Sequence, residues 1–298
     1  MSATITIPEL VKSSKECIMV PCVYDCASAR AAELAGYKAI LLSGGEVGEV
    51  LGGIMEDCLT EDELLFMAEH ICRFSPLPLI VDCGCFGDSA RCVNRFSEKF
   101  ARAGAMALLI EDGGADGFLS KEEFFANIKA AVAGCEDTDC IVMGRSNMPI
   151  QSEEDRKEIA DRLNGALKLG AYMVMPCGLN NSADTEILGR MIHGPKCYPD
   201  QNTHHGVPEV VNEEIYQWGY SMVSFHYALK VAMESMIRYG KLDLQAGNNK
   251  PSNDLAFDNG VTGHSALPMF DMQGIFDREA QFTGVRKIFR VPGVKEDD

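Results

Sequence analysis

The sequence predicts an α/β protein built as a single (β/α)₈ TIM barrel with a helical extension at its C-terminus. Three observations carry this expectation. Eight short apolar runs recur along the chain, at residues 18–23, 39–42, 79–81, 106–110, 141–143, 172–175, 196–198 and 222–225. Longer stretches with helical spacing separate them. A glycine closes almost every one of those stretches, and glycine takes the left-handed conformation past a helix end without steric cost. Buried strands alternating with helices make βαβ units and a parallel sheet. Eight such units are the number that closes a barrel. A doubly wound open sheet has fewer repeats, and no Gly-x-Gly-x-x-Gly follows the first run.

Each element has its own signal. The first run leads into a helical stretch at 27–34 that stops at Gly36, and the second into 61–74. Then come 89–102 before Gly104, 121–133 before Gly134, 152–169 before Gly170 and 183–191 before Gly194. The last two are 208–218 before Gly219 and 227–239 before Gly240. Beyond Gly240 the pattern changes. Residues 246–263 are rich in Asn, Gly, Ser and Asp and read as a loop, whereas 269–289 carry an interrupted apolar stripe and read as one or two helices. The expected organisation is a barrel domain over 1–240 and an extension over 241–298 that packs on the barrel exterior or on a neighbouring subunit.

Composition limits the function. The chain has 298 residues, 46% hydrophobic and 24% charged, with a formal net charge of −17. This is too apolar for a disordered chain. So negative a surface suits neither a nucleic-acid backbone nor an anionic membrane, since both are bound through Lys and Arg. An anionic ligand must then be captured locally. No apolar run is long enough to span a bilayer, and Met1–Leu10 lacks the layout of a signal peptide. The 12 cysteines are scattered through apolar segments, as free thiols in a reducing cytoplasm would be. Cys83 and Cys85, with Cys92 nearby, form only a weak zinc signal, because no second ligand pair stands at finger spacing.

A barrel of this class places its active site at the C-terminal ends of its strands. Those positions hold Tyr24-Asp25, Ser43-Gly44-Gly45-Glu46, Asp82-Cys83-Gly84-Cys85, Glu111-Asp112, Arg145-Ser146-Asn147, Pro176-Cys177-Gly178, Asp200-Gln201-Asn202 and His226. Uncompensated carboxylates in one pocket repel and raise one another's pKa. A hard divalent cation, Mg²⁺ or alternatively Mn²⁺, relieves this when one carboxylate holds it directly and others act through water. Asp82 and Glu111, each directly after an apolar run, are candidate ligands, and Asp57 in an adjoining loop is a candidate through water. Asp112 and Glu56 are further rim acids, and any of these acids could instead cap a helix. Arg145 is the only Arg at these strand ends, suited to gripping a carboxylate or phosphonate, or alternatively to a salt bridge with a rim acid. The backbone amides of Ser43, Gly44 and Gly45 suit an anionic oxygen. His226 can carry a proton or donate a hydrogen bond, or serve as a structural histidine. His204-His205 is a weaker pair.

These residues resemble the isocitrate lyase/phosphoenolpyruvate mutase superfamily. The likeness runs from Tyr24-Asp25 with Ser28-Ala29-Arg30, through Glu33–Ile40 and Ser43-Gly44, to Ile110-Glu111-Asp112 and Gly144-Arg145. It implies a Mg²⁺-dependent enzyme acting on small 2-oxo or 2-hydroxy acids through an enolate-like species. It also implies Asp82 as direct ligand, Glu111 acting through water, the Ser43-Gly44 backbone on the substrate carboxylate, and Arg145 on the distal acid group. The family swaps its C-terminal helix between subunits, which implies a homo-oligomer, a dimer of dimers. The chain departs from the family in two places. Asp82-Cys83-Gly84-Cys85-Phe86-Gly87 lacks the second Asp of the family motif, and Gly113–Phe118 replaces the lyases' Lys-Lys-Cys-Gly-His segment with its acid/base Cys. His226 resembles a histidine of the oxaloacetate decarboxylase branch. The expectation is therefore a lyase or decarboxylase that breaks a C–C bond in a small 2-oxo acid. Its rivals are C–P chemistry, as in phosphoenolpyruvate mutase or phosphonopyruvate hydrolase, and a non-catalytic relative that only binds its ligand.

Overall fold

The computed structural model describes residues 5–84, 89–114, 117–179, 181–200, 210–258 and 269–290. Eight strands form one parallel sheet: β1 (Ile18–Val23), β2 (Ile40–Leu42), β3 (Leu79–Asp82) and β4 (Ala107–Glu111), then β7 (Ile141–Ser146), β8 (Met173–Pro176), β9 (Cys197–Tyr198) and β10 (Met222–Phe225). The labels skip a small antiparallel hairpin, β5 (Gly113–Gly114) and β6 (Gly117–Phe118), which follows β4. Neighbours pair in register, and β10 returns to β1 with Ile18 opposite Met222. A parallel bridge from Val174 to Lys196 joins the two ends of the sheet. The result is a nearly closed barrel.

Successive side chains of a strand face opposite ways, and burial follows that alternation. Val20, Cys22, Leu41, Ile80, Leu109, Met143, Met173, Met175 and Met222 fill the barrel interior. Leu42, Val81, Leu108, Ile110, Val142 and Val174 face outward into a second core beneath the helices. Those helices are α2 (Cys26–Ala35), α3 (Gly44–Val50), α4 (Glu61–Phe74), α5 (Ala90–Ala103), α6 (Lys121–Cys135), α7 (Glu153–Lys168), α8 (Ser182–Met191) and α9 (Asn212–Gln217). Before β1, α1 (Ile7–Ser13) places Ile7 and Leu10 in the interior cluster, with Met106, Ile141 and Tyr172 from the strands' N-terminal ends. It plugs the barrel floor. Its signal in the sequence is the capping box of Thr6 and Glu9 with Pro8 in the first turn.

The glycine rule holds at Gly36 and Gly104, which cap α2 and α5 in the left-handed conformation. It fails at three positions. Gly134 lies inside α6, which runs on to Cys135. A β-carbon there would overlap the Asn94 carbonyl and Ser97 of α5, so this glycine serves helix contact instead of termination. α8 ends at Met191 on an extended Ile192, short of Gly194. Gly240 lies within α10 (Ala228–Ala246).

The chain divides into two compact units, Met1–Leu229 and Lys230–Asp298. The second contains α10 from Lys230 on, α11 (Lys250–Asp258) and α12 (Met272–Thr283). α11 corrects the expected loop over 246–263: Asn and Ser, which favour turns by propensity, here sit inside a helix. In α12 and the segment after it, Asp277 pairs with Arg286, and Phe276 stacks on Phe289. No described helix is long and apolar enough to cross a membrane.

Candidate active site

Strand alternation builds the site. Interior positions, continued two residues toward the strand C-termini, lead from Leu41 to Ser43, from Ile80 to Asp82 and from Leu109 to Glu111. They lead likewise from Met143 to Arg145, from Met175 to Cys177, and from Met222 through Ser224 to His226. Most of these residues, with Cys22, Gly45, Glu56 and Asp200, line a pocket of about 450 Å³ at the barrel mouth.

Arg145 is the hub. Its Nη1 donates to Asp82 Oδ2 at 2.7 Å and its Nε to Asn147 Oδ1 at 2.8 Å. Glu111 Oε2 lies 3.6 Å from Nε and accepts from Asn147 Nδ2 at 2.6 Å. Cys177 is hydrogen-bonded to the guanidinium, and its burial pushes the thiol up to about 11. Burial works against the charge of Arg145, but Asp82, Cys177, Glu111 and Glu56 outweigh it and hold the guanidinium more firmly protonated than usual. Arg carries five N–H donors, so donors remain for an anion in the pocket. Burial raises Glu111, although Arg145 opposes the shift. Glu56 rises from its ordinary 4.5 to about 7, through burial first and then the charge of Asp82.

The backbone makes room for these carboxylates. A β-carbon at Gly44 would overlap the Glu56 carboxyl, and one at Gly84 would overlap that of Glu111. Ser43 caps α3 by accepting from the Glu46 amide at 3.2 Å. The amides of Gly44 and Gly45 in the first turn have no helical carbonyl to bond. Ser43-x-x-Glu46 is a sequence signal for this helix start that the periodicity of the apolar runs did not reveal. His226 Nδ1 lies 3.0 Å from Glu46 Oε1, and its Nε2 lies 3.7 Å from the Cys22 sulfur.

Other candidates stand elsewhere. Asp57 is exposed on the 3₁₀ turn Glu56–Cys58, and the acid of that turn that lines the pocket is Glu56. Asp25 caps α2 by accepting from the Ser28 amide. Asp112 is fully buried behind the site, where it accepts from Ser146 Oγ at 2.6 Å and the Asn147 amide at 2.9 Å. It therefore orders the segment that carries Arg145 and Asn147. Cys83 is buried and Cys92 exposed. Cys85, Phe86, Gly87, Gln201, Asn202 and the His204-His205 pair lie outside the described residues. Cys22 is missed by the strand-end rule and Cys177 receives no role from it, because a Cys in an apolar run reads as a small hydrophobe. The signal that finds them is strand parity.

The donor set suits a hard cation. Asp82 and Glu111 flank a single guanidinium with Glu56 nearby, all with oxygen donors, and burial followed by the charge of Asp82 raises Glu56 to about 7. Among the described residues no three His, Cys, Asp or Glu side chains are arranged to chelate an ion by themselves. Oxygen donors of this kind are compatible with a hard cation such as Mg²⁺.

Comparison with known proteins agrees with this geometry. The profile of the phosphoenolpyruvate phosphomutase family matches residues 9–239. The chain is 28% identical over 250 residues to the oxaloacetate decarboxylase of Paraburkholderia xenovorans, covering 77% of this chain and 81% of that protein. It is 36% identical over 156 residues to the 2-methylisocitrate lyase of Salmonella typhimurium, covering 49% of this chain and 52% of the lyase. The crystal structure of 2,3-dimethylmalate lyase, a PEP mutase/isocitrate lyase superfamily member, superposes with a TM-score of 0.80 at 22% identity, covering 94% of this chain and 100% of the other. That likeness concerns the fold alone. The profile spans most of the chain, and the protein belongs to the phosphoenolpyruvate phosphomutase family, within the isocitrate lyase/phosphoenolpyruvate mutase superfamily.

Proposed function

We propose that this protein is a Mg²⁺-dependent lyase or decarboxylase that breaks a C–C bond of a small 2-oxo or 2-hydroxy acid. One observation carries the reading: a guanidinium, a helix start with unspent amides and a cluster of oxygen donors meet around one pocket of about 450 Å³. Decarboxylation of a four-carbon 2-oxo di-acid fits it directly. The Gly44 and Gly45 amides take an anionic oxygen at the C1–C2 end, and Arg145 holds the distal acid group. As CO₂ leaves, the electron pair of the broken bond passes toward the C2 oxygen, and the amides oriented there stabilise the developing charge. Asp82 would hold the cation, with Glu111 and Glu56 linked to it through water. When bound, Mg²⁺ supplies Lewis-acid stabilisation of negative charge on the substrate oxygens. The proton that the enolate carbon needs comes from the His226 corner of the pocket. The names of the relatives, a decarboxylase and a lyase, support this class of reaction.

The match to the phosphomutase profile keeps C–P chemistry as a second reading. Release of pyruvate from oxaloacetate and 2,3-dimethylmalate, and of pyruvate or phosphoenolpyruvate from phosphonopyruvate, assayed side by side with Mg²⁺, separates the two. The C–C reading expects turnover of one of the first two. Turnover of phosphonopyruvate alone moves the assignment to C–P chemistry, and no turnover of any of them sinks both.

A further inference from the structure

His226 has three neighbours that the reaction above leaves unused, one of them Asp200, whose Oδ1 lies 3.9 Å from Nε2. Glu46, which is 6% exposed, faces Nδ1, and its second oxygen Oε2 is buried without a hydrogen-bond partner among the described residues. The sulfur of Cys22 lies 3.7 Å from Nε2. A carboxylate beside an imidazole accepts its N–H, so Glu46 places the ring proton on Nδ1 and leaves Nε2 to exchange protons with what it faces. Cys22 is 3% exposed yet lines the pocket, whereas the His226 side chain is 42% exposed. A buried carboxylate, an imidazole that reaches solvent and a thiol at the pocket wall thus stand in line.

We propose that Cys22 delivers the proton to the enolate carbon and that His226, positioned by Glu46, restores the thiol from solvent. This rests on the enolate reading given above. In the step, the electron pair of the enolate C2–C3 double bond takes the thiol hydrogen to form the new C–H bond, and the S–H pair remains on sulfur as a thiolate. The protonated ring of His226 then gives its Nε2 hydrogen to that thiolate and regains a proton from water. Nothing is oxidised or reduced. Burial, followed by the charges of Glu46, Asp82 and Asp200, pushes the Cys22 thiol well above its ordinary range. The sulfur therefore stays protonated until a strong carbon base arrives, and the thiolate left behind draws a proton back readily.

The test follows exchange of the methyl hydrogens of pyruvate in D₂O with Mg²⁺ by proton NMR, next to CO₂ release from oxaloacetate. Cleavage does not need the thiol, whereas exchange does. C22A and C22S proteins that melt like the wild type are expected to exchange on the order of a hundredfold more slowly. E46A is expected to slow exchange about tenfold or more at unchanged KM. E46Q, whose amide oxygen can still accept from Nδ1, should recover part of that loss. Exchange at the wild-type rate in C22A overturns the relay alone. A wild-type protein that does neither reaction overturns the enolate reading and the relay together.

Discussion

Replacing Glu56 by Gln tests the charge balance of the pocket directly. In the folded protein this carboxyl titrates near about 7 instead of 4.5, because burial and the neighbouring Asp82 disfavour its charge. The folded state therefore binds more protons than the unfolded chain between pH 4.5 and about 7. Stability must fall as pH rises through that window and level off above it. One pKa unit corresponds to roughly 1.4 kcal/mol, which puts the ceiling near 3 kcal/mol. Solvent relaxation around a partly exposed side chain cuts that to about 1–2 kcal/mol.

Glu56→Gln keeps the shape and removes the titration. Urea unfolding in EDTA, followed by the fluorescence of Trp218, the single tryptophan, is expected to give similar stabilities for the two proteins at about pH 5. The variant should be the more stable by about 1–2 kcal/mol at about pH 8.5. Other groups titrate alike in both proteins and cancel in the difference. A gap that does not change with pH, or a variant less stable at high pH, would refute the claim that like charge is crowded around Arg145.

Three further changes address other parts of the argument. Asp82→Asn is expected to weaken Mg²⁺ binding, measured by calorimetry, by more than about tenfold and to lower turnover with it; unchanged binding and activity would move the metal elsewhere. Asp112→Ala leaves Arg162, 3.7 Å away, without its buried partner and Ser146 and Asn147 without their acceptor. It should cost about 3 kcal/mol in urea unfolding, and a loss below 1 kcal/mol would show that the network behind the site is not structural. Ile7→Ala empties the barrel floor, where Ile7 is fully buried. It should cost about 3 kcal/mol while KM for the substrate stays as it was.

The barrel was legible because its signal is repetitive. β1 and β10 begin and end where the apolar runs do, and α4 spans Glu61–Phe74 as its spacing predicts. Asp82, Arg145, Ser43, Gly45 and His226 line one pocket because each lies at or within three residues of a strand's C-terminal end, and the barrel fixes which end faces the mouth. What stayed illegible depends on tertiary contact. Gly134 reads as a cap until α5 lies against it. Sequence alone does not choose between Glu56 and Asp57, which are adjacent on one turn, since the choice rests on which side chain the turn aims inward. Cys22 in β1 and Glu46 in α3 stand 180 or more positions away from His226, and only the closed ring brings them together.

The net charge of −17 cannot draw an anionic substrate from a distance, because a field of that sign repels it. Capture has to be local, and Asp82 and Arg145 show how the locality is achieved. The proposal asks each of them to hold a different partner, yet they are bonded to one another at 2.7 Å. An acid engaged with its own guanidinium offers less to a cation than a free one, and a guanidinium engaged with its own acid offers an anion only the donors that remain. Whatever binds one side therefore loosens the other for its partner, and by reciprocity each partner strengthens the binding of the second. Glu56 belongs to the same balance, since its proton near neutrality relieves part of the excess that a cation would relieve in full. The Asp82–Arg145 pair is thus the element through which a strongly acidic protein can close on an acidic substrate, and only when the opposite charge arrives with it.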